Sequence, residues 1–327
     1  MPFVEHVVLG GDARTYLDAD LQAATQYEYR VRACRRQRCS AESGTARAST
    51  ENPDRALHDR ADDITGPQIR VMYVVPSDGG DRALDTRTTL KQSVASFHAW
   101  FTGKSGGYTL RFDRHQGELD IGFFRLTLSD ADVASSPRWP IEYLLAEAGL
   151  LAEDKLYLVY YDGTGGAFCG GASWPPVVPG QLAAMYLRSV NCNVPFTTTV
   201  ASPGYWEFAA LHDLVHMLGI VSPSAPNHTA TYPAHVPDQS DLMYTGPAPW
   251  LTGGGLTIDV GGDDYFGNAV RSDLPSLDKS PYIAAPMPGA AANAAASLRE
   301  MTAAEARALG DALTRLPMHQ SFPFPHR

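Results

Sequence analysis

Apolar and polar residues follow two periods along this chain, and each period predicts one kind of element. Residues 68–75 and 155–161 are nearly continuous apolar runs rich in Val, Leu and Tyr, which predict buried strands. Residues 88–101 and 141–151 carry apolar side chains three and four positions apart, which predicts helices. Strand patterns also occupy residues 108–113, 120–128 and 182–187. This order predicts an α/β (α+β) domain in which helices back a mixed, twisted sheet.

One apolar segment of helical spacing, residues 206–219, carries two histidines. His212 and His216 are four positions apart and therefore lie on one face of a helix. Two imidazoles placed in this way can share a tetrahedral Zn²⁺, and the carboxylate of Asp213 can act on water bound to the metal. Gly219 is expected to end the helix, since glycine accepts the left-handed conformation found there. The alternative is a pair of structural histidines without a metal.

A catalytic zinc site needs a third protein ligand and an open position for water. The candidates downstream of the helix are His228, His235 and Asp238. All three lie in a stretch rich in Pro and Ser, so that metal binding would fold this loop around the site. Spacing alone leaves all three open.

The helical segment resembles the zinc-binding motif of the metzincin peptidases, His-Glu-x-x-His-x-x-Gly-x-x-His. His212-Asp213-Leu214-Val215-His216-Met217-Leu218-Gly219 matches that motif up to the glycine, except that Asp213 replaces the glutamate. Ser222 stands where the motif has its third histidine. Further along the chain, Asp241-Leu242-Met243-Tyr244 is similar to the methionine turn of matrix metalloproteinases, in which the third histidine precedes the methionine by eight residues.

His235 precedes Met243 by the same interval. The resemblance therefore implies three zinc ligands, which are His212, His216 and His235. If His235 is not the third ligand, His228 is the next candidate, followed by Asp238. The resemblance also implies that an insertion separates the glycine from the third histidine and that Met243 lies beneath the metal. Tyr244 either stabilises an oxyanion near the zinc or packs under the helix.

The activity implied by the resemblance is zinc-dependent endopeptidase activity on a protein or peptide substrate. Zinc lowers the pKa of its bound water, and Asp213 is expected to act as general base. Aspartate is one methylene shorter than glutamate, which withdraws the carboxylate by about 1 Å and can cost about 10²-fold in rate. The alternative is a catalytically impaired metallopeptidase-like protein that acts as a binding module. Residues 182–187, expected at an edge of the sheet, could align a substrate strand.

A second resemblance, to a group of secreted bacterial metallopeptidase-like proteins, covers residues 66–285 and rests on four short patterns. They are Trp100-Phe101…Gly106-Gly107, Cys169-Gly170-Gly171, Pro203-Gly204-Tyr205-Trp206-Glu207-Phe208 and Asp263-Asp264-Tyr265-Phe266-Gly267. This resemblance implies an extracellular protein, although the N-terminus shows no signal peptide.

The first 50 residues carry patterns of short strands, and residues 27–33 alternate strictly between apolar and polar. This region resembles the last strands of a fibronectin type III domain, with Tyr27 at the tyrosine-corner position. Only about three strands are present, so the resemblance implies a C-terminal fragment of that fold.

The four cysteines form two candidate pairs. Cys34 and Cys39 flank a short turn, where opposite positions of a hairpin come within disulfide range, the alternative being two free thiols. A bridge between Cys169 and Cys192 would tie an irregular loop rich in Gly and Pro to the end of the strand at 182–187. Two pairs favour an oxidising compartment.

Charge and composition exclude two classes of partner. The formal net charge of −10 argues against nucleic acid. No apolar run reaches the roughly 20 residues that a membrane-spanning helix needs. The oligomeric state is left open by the sequence.

Four parts make up the predicted organisation: a fibronectin type III-like fragment at 1–50, a linker at 51–66, a zincin-like metallopeptidase domain at 67–288, and an Ala-rich segment with a C-terminal helix at 289–327. The last helix is predicted from the capping box Thr302-Ala303-Ala304-Glu305.

A group of aspartates in a Gly-rich region either binds Ca²⁺ or is solvated. The members of this group are Asp259, Asp263, Asp264 and Asp273.

Overall fold

The computed structural model divides the chain into two compact units, Met1–Arg55 and Ala56–Arg327. The described residues of the first unit are 3–4, 6–16, 18, 21, 25–35, 38–50 and 55. Those of the second unit are 56–192, 194–197, 199–245, 255–267 and 273–286. The predicted Ala-rich segment and C-terminal helix lie outside the described residues.

The first unit contains two antiparallel pairs of short strands. In chain order the strands are β1 (Gln26–Tyr29), β2 (Cys34–Arg35), β3 (Arg38–Cys39) and β4 (Ala46–Ser49). β1 pairs with β4 and β2 pairs with β3, and a disulfide joins the opposed residues Cys34 and Cys39. The piece is all-β, as its sequence pattern predicts, whereas its likeness to a fibronectin type III domain stays a prediction.

The second unit holds nine strands among its described residues, five of which form the central sheet. In chain order they are β5 (Gln68–Val75), β6 (Thr109–Leu110), β7 (Arg114–His115), β8 (Glu118–Leu119), β9 (Ile121–Arg125), β10 (Lys155–Tyr161), β11 (Gly170–Trp174), β12 (Val178–Tyr186) and β13 (Ile283–Ala284). The sheet has the order β11-β12-β10-β5-β9. Its strands are parallel except β11, which is antiparallel to β12. β5 and β10 are buried along their whole length, which is the environment that their continuous apolar runs predict.

Helices cover both faces of this sheet. They are α1 (Thr88–Lys104), α2 (Asp130–Val133), α3 (Arg138–Glu147) and α4 (Tyr205–Met217), and a 3₁₀ turn follows at Leu277–Lys279. On one face, Tyr73 of β5 shares a buried cluster with Phe97 of α1 and Leu211 of α4. On the other, Val74 shares a cluster with Ile141 of α3. The mixed sheet with helical backing confirms the predicted fold class. In the described part of the chain, no helix combines the length and hydropathy that crossing a bilayer requires.

The prediction of an edge strand at residues 182–187 is wrong. The strand there, β12, begins at Val178 and lies between β10 and β11, so the edge of the sheet is β11. The segment from Leu182 to Tyr186 is buried on both faces, which is typical of an internal strand. A disulfide joins Cys169, next to β11, to Cys192 beyond β12. The two outermost strands on this side are therefore linked covalently.

Residues 56–66, which belong to the predicted linker 51–66, are bonded into the second unit through a buried lysine. The ammonium group of Lys155 donates to three carboxylates at 2.7–2.9 Å, those of Asp59, Asp62 and Asp113. These three aspartates are close enough to form a metal-binding group. Because the lysine ammonium already lies among them, the cluster is an ion-pair network that holds residues 56–66 against the start of β10.

His98 of α1 provides a source of acid sensitivity that is independent of any metal. It packs edge-on against Phe112, and burial lowers its pKa to about 4. An unfolded chain binds a proton at about pH 6.5, so the unfolded state takes up more protons than the folded state between pH 6.5 and 4. The stability that neutral His98 contributes is therefore present above pH 6.5 and is lost as pH falls through this window.

When pH is lowered from 7.5 to 4.5, we expect the free energy of unfolding to fall by about 2 kcal/mol more in wild type than in His98→Leu. The measurement is urea denaturation of the chelator-treated proteins at both pH values. Equal acid sensitivity of the two proteins would contradict the assignment, since all other titrating groups are shared.

Candidate metal centre

The helix α4 places two histidines in the interior because nine of its thirteen residues are apolar. All thirteen of its residues are buried, and it packs against β11 and β12. At its start, the carboxylate of Glu207 accepts hydrogen bonds from the Gly204 N–H at 2.8 Å and the Ser93 hydroxyl at 2.5 Å. Glu207 therefore caps the helix and joins it to α1.

The residue that ends α4 is the glycine predicted from the motif. Gly219 has a φ of 77°, in the left-handed region, and its N–H donates to the carbonyl of His216 at 2.9 Å. A Cβ atom at this position would lie 2.8 Å from the carbonyl oxygen of Pro175, which follows β11. Both the backbone conformation and the close approach of another segment therefore require glycine here.

Three histidines approach one another through the same ring atom, Nε2. The Nε2 atoms of His212 and His216 are 3.0 Å apart, and each lies 3.1–3.2 Å from Nε2 of His235. The three residues are between 1% and 3% exposed. The structure thus brings together two ligands predicted from the helix and the third ligand implied by the spacing to Met243.

Each of the three rings is oriented by a backbone carbonyl. The carbonyls of Leu242, Ile220 and Pro233 lie 2.8, 3.3 and 2.8 Å from Nδ1 of His212, His216 and His235, respectively. A carbonyl oxygen only accepts, so each Nδ1 carries the proton and each Nε2 presents a lone pair. Second-sphere hydrogen bonds of this kind select the tautomer that binds a metal.

The donor set fits Zn²⁺. Tetrahedral Zn–N bonds of about 2.0–2.1 Å would place ligand nitrogens about 3.3–3.4 Å apart, close to the observed 3.0–3.2 Å. Three lone pairs that face one another at this distance in a buried position repel unless a cation lies between them. Imidazole nitrogens suit zinc rather than the hard cations that prefer oxygen.

Asp241 organises the segment that contacts His212. Sequence reasoning did not single out Asp241 as a functional residue. Its carboxylate accepts from the N–H groups of Met243 and Val260, both at 2.7 Å, and from the Tyr265 hydroxyl at 2.6 Å. Burial is the main reason that the pKa of Asp241 is raised to about 6. The bond to Met243, two residues on, is an Asx turn, which was the available sequence signal. Asp241 thereby shapes the predicted methionine turn, whose Leu242 carbonyl orients the ring of His212.

Tyr244 and Met243 are both buried in the same cluster as α4. The Tyr244 N–H donates to the carbonyl of Asp241 at 3.1 Å, and Met243 accepts from the N–H of Val236, next to His235, at 3.0 Å. The turn thus pairs directly with the segment that carries the third histidine.

The predicted base, Asp213, is fully buried beside two phenols. Burial raises the pKa of Tyr186 and of Tyr205, and the charge of Asp213 raises both further. Tyr205 begins α4 and Tyr186 ends β12. Asp213 thus lies near the end of β12 and the start of α4.

The two alternative candidates for the third ligand, His228 and Asp238, lie outside the group of three. Nε2 of His228 accepts from the Ala234 N–H at 3.2 Å, and its ring stacks on Trp174. Asp238 is exposed, and its carboxylate accepts from the N–H and hydroxyl of Ser240.

Three of the four aspartates considered for calcium lie together: Asp259, Asp263 and Asp264. The Asp259 carboxylate accepts from the backbone N–H groups of Asp264, Tyr265 and Phe266. Asp264 in turn accepts from the backbone and side-chain nitrogens of Asn227. Since calcium needs about six to eight oxygen ligands and these carboxylates already accept hydrogen bonds, we interpret the group as a turn-forming cluster.

Comparisons with known proteins give weak structural likenesses. No protein-family model and no curated protein sequence matches the chain. Archaemetzincin from Methanopyrus kandleri is 16% identical over 54% of this chain and 81% of its own, with a TM-score of 0.30. Wild-type OgpA from Akkermansia muciniphila is 14% identical over 64% of this chain and 62% of its own, with a TM-score of 0.35. A catalytically inactive OgpA in complex with the O-glycopeptide substrate glycodrosocin is 15% identical over 58% and 56%, with a TM-score of 0.32.

The chain therefore spans less than two thirds of the length of OgpA. TM-scores of 0.30–0.35 are too low to support a conclusion about function. What the site can do follows from its own residues.

Proposed function

We propose that the protein is a zinc-dependent endopeptidase of the metzincin type, in which His212, His216 and His235 hold the metal. The observation that carries the proposal is the convergence of three Nε2 atoms in one buried position, each on a ring oriented by a backbone carbonyl. The methionine turn beside this group supports a peptidase rather than another zinc hydrolase. The two disulfides support an extracellular location.

The roles of the residues follow from their chemistry. Bound zinc supplies a Lewis acid that polarises a carbonyl and lowers the pKa of water. The carboxylate of Asp213 would take a proton at one of its oxygens from the attacking water and pass it to the leaving amine. Because Asp213 is one methylene shorter than the usual glutamate, we expect proton transfer to limit the rate.

An extended peptide is the substrate class that the sheet favours. β11 is an edge strand that contacts α4 and lies antiparallel to its neighbour. A peptide could add to its outer edge through main-chain hydrogen bonds. This assigns to β11 the substrate-aligning role that the sequence pattern suggested for residues 182–187.

A binding module that retains the metal is the second candidate, and one observation favours it. His212, His216 and His235 are at most 3% exposed, and Asp213 is fully buried. Structural zinc sites are closed, whereas catalytic sites keep an open position for water and substrate. Turnover by this protein would therefore require that the metal centre become accessible to a peptide.

Replacing Asp213 by glutamate separates these candidates. We expect Asp213→Glu to cleave a diverse peptide mixture about 10- to 100-fold faster than wild type, since the longer side chain restores the reach of the base. Asp213→Asn, which keeps the size but removes the base, should lose at least about 100-fold. Product formation is followed by mass spectrometry on proteins with verified zinc content. If neither zinc-loaded wild type nor zinc-loaded Asp213→Glu cleaves any peptide, this result would contradict the peptidase and favour the binding module.

A further inference from the structure

The loop that delivers the third histidine is closed by hydrogen bonds at both ends. Nε2 of His228 accepts from the N–H of Ala234 at 3.2 Å, and the N–H of Thr229 donates to the carbonyl of His235 at 2.9 Å. Within the loop, the Pro233 carbonyl accepts from Nδ1 of His235 at 2.8 Å. Residues 228–235 therefore form a closed loop in which the His228 side chain bonds to the backbone of the residue directly before His235.

Ala234 is the residue in this loop whose conformation most needs support. Its φ is 68°, in the left-handed region that a non-glycine residue adopts at a cost of about 1 kcal/mol or more. It is 1% exposed, so its N–H requires an acceptor within the protein. His228 supplies that acceptor. Loss of it would leave a buried N–H unsatisfied directly before the metal ligand.

His228 is held in turn by the edge of the central sheet. Its ring stacks on Trp174, the last residue of β11, with centroids 6.4 Å apart and an interplanar angle of 14°. Trp174, Val178 and Ala234 also form a separate buried apolar cluster. Trp174 therefore stacks on His228 and shares a buried cluster with Ala234, whose N–H bonds to His228.

We propose that His228 is a positioning residue, which fixes the loop in the conformation that presents Nε2 of His235 to His212 and His216. Trp174 holds His228 in place, so that zinc affinity depends on the packing at the end of the edge strand. This inference rests on the proposed metal centre and gives His228 a role different from that of a ligand.

The test is the zinc affinity of wild type and four variants, measured by competition with a chromophoric chelator at pH 7.5. We expect His228→Leu and Trp174→Ala to bind zinc about 10- to 100-fold more weakly than wild type, which is the loss typical of second-sphere residues. His228→Gln should stay close to wild type, because its amide oxygen can accept the Ala234 N–H. The matched control is His58→Leu, since the His58 side chain is exposed and, among the described contacts, His58 bonds through its carbonyl, to Arg70.

The spectrum of the Co²⁺-loaded proteins separates positioning from ligation. If His228 positions the loop, Co²⁺-saturated His228→Leu has the same d–d bands as wild type. If His228 is a ligand, its loss changes these bands. Altered bands, or His228→Leu and Trp174→Ala that bind zinc as tightly as wild type, would overturn the inference. If His228→Leu does not fold, Trp174→Ala carries the same comparison. If wild type binds no zinc, the metal centre itself is overturned. If wild type binds zinc normally and the variants do so equally well, only the positioning role is overturned.

Discussion

His216→Ala is expected to abolish peptide cleavage and to weaken zinc binding by more than the roughly 10- to 100-fold that a second-sphere change costs. His216 lies on the same face of α4 as His212, with its Nε2 3.0 Å from that of His212 and 3.2 Å from that of His235. Alanine removes one of three nitrogen donors from a site whose other ligands remain buried. Two imidazoles do not complete a catalytic zinc site, which uses three protein ligands.

The readouts are zinc affinity by chelator competition and cleavage of the peptide mixture. The matched control is His115→Ala, whose histidine is partly exposed in the β7–β8 hairpin and accounts for any general effect of removing an imidazole. Circular dichroism of the chelated proteins shows whether the fold is kept. Zinc-dependent cleavage by His216→Ala at the wild-type rate would contradict the proposed ligand set.

Lys155→Ala is expected to destabilise the protein by about 3–5 kcal/mol, through a mechanism that involves no metal. The side chain of Lys155 is 4% exposed, and its ammonium group pairs with three carboxylates at 2.7–2.9 Å. One of them, Asp113, has no exposed side-chain surface. Alanine would leave that buried carboxylate without its hydrogen-bonded cation, since the Arg70 guanidinium lies 3.9 Å away. It would also release residues 56–66 from the start of β10.

The measurement is urea denaturation of the chelator-treated protein at pH 7.5. Lys91→Ala provides the matched control, because Lys91 and Glu118 form an ion pair at 3.0 Å whose side chains are 44% and 72% exposed. An exposed pair of this kind should contribute about 0–1 kcal/mol. Equal losses in the two variants would show that the buried network does not stabilise the fold as described.

Local spacing was sufficient to predict the central helix and the strongest strands. The interval between His212 and His216 fixes a shared helical face wherever the helix packs, and Gly219 marks its end. The buried strands at Gln68–Val75 and Lys155–Tyr161 were likewise evident, because a run that is apolar on both faces has few alternatives to the middle of a sheet. These features depend on residues that are neighbours in the sequence.

The edge of the sheet could not be predicted in this way. The sequence of β11, Gly170-Gly171-Ala172-Ser173-Trp174, is rich in residues with weak strand preference, and it becomes a strand through its pairing with β12. The sequence pattern therefore predicted the apolar run of β12 as the outer strand. Pairing partners far apart in sequence decided this feature.

The support of the metal centre also depends on distant contacts. His228 meets Trp174 across 54 positions of chain, and Asp241 meets Tyr265 across 24. Neither contact follows from a periodic pattern. His228 therefore looked like a second-choice ligand from its residue type, whereas its described contacts are with the loop and the edge strand.

The zinc content of the purified protein tests the central claim most directly. After exposure to excess zinc and dialysis against metal-free buffer, elemental analysis should find one zinc per chain, and treatment with a strong chelator should remove it. A chain that retains no zinc under these conditions would contradict the metal centre built from His212, His216 and His235, and the proposed peptidase with it.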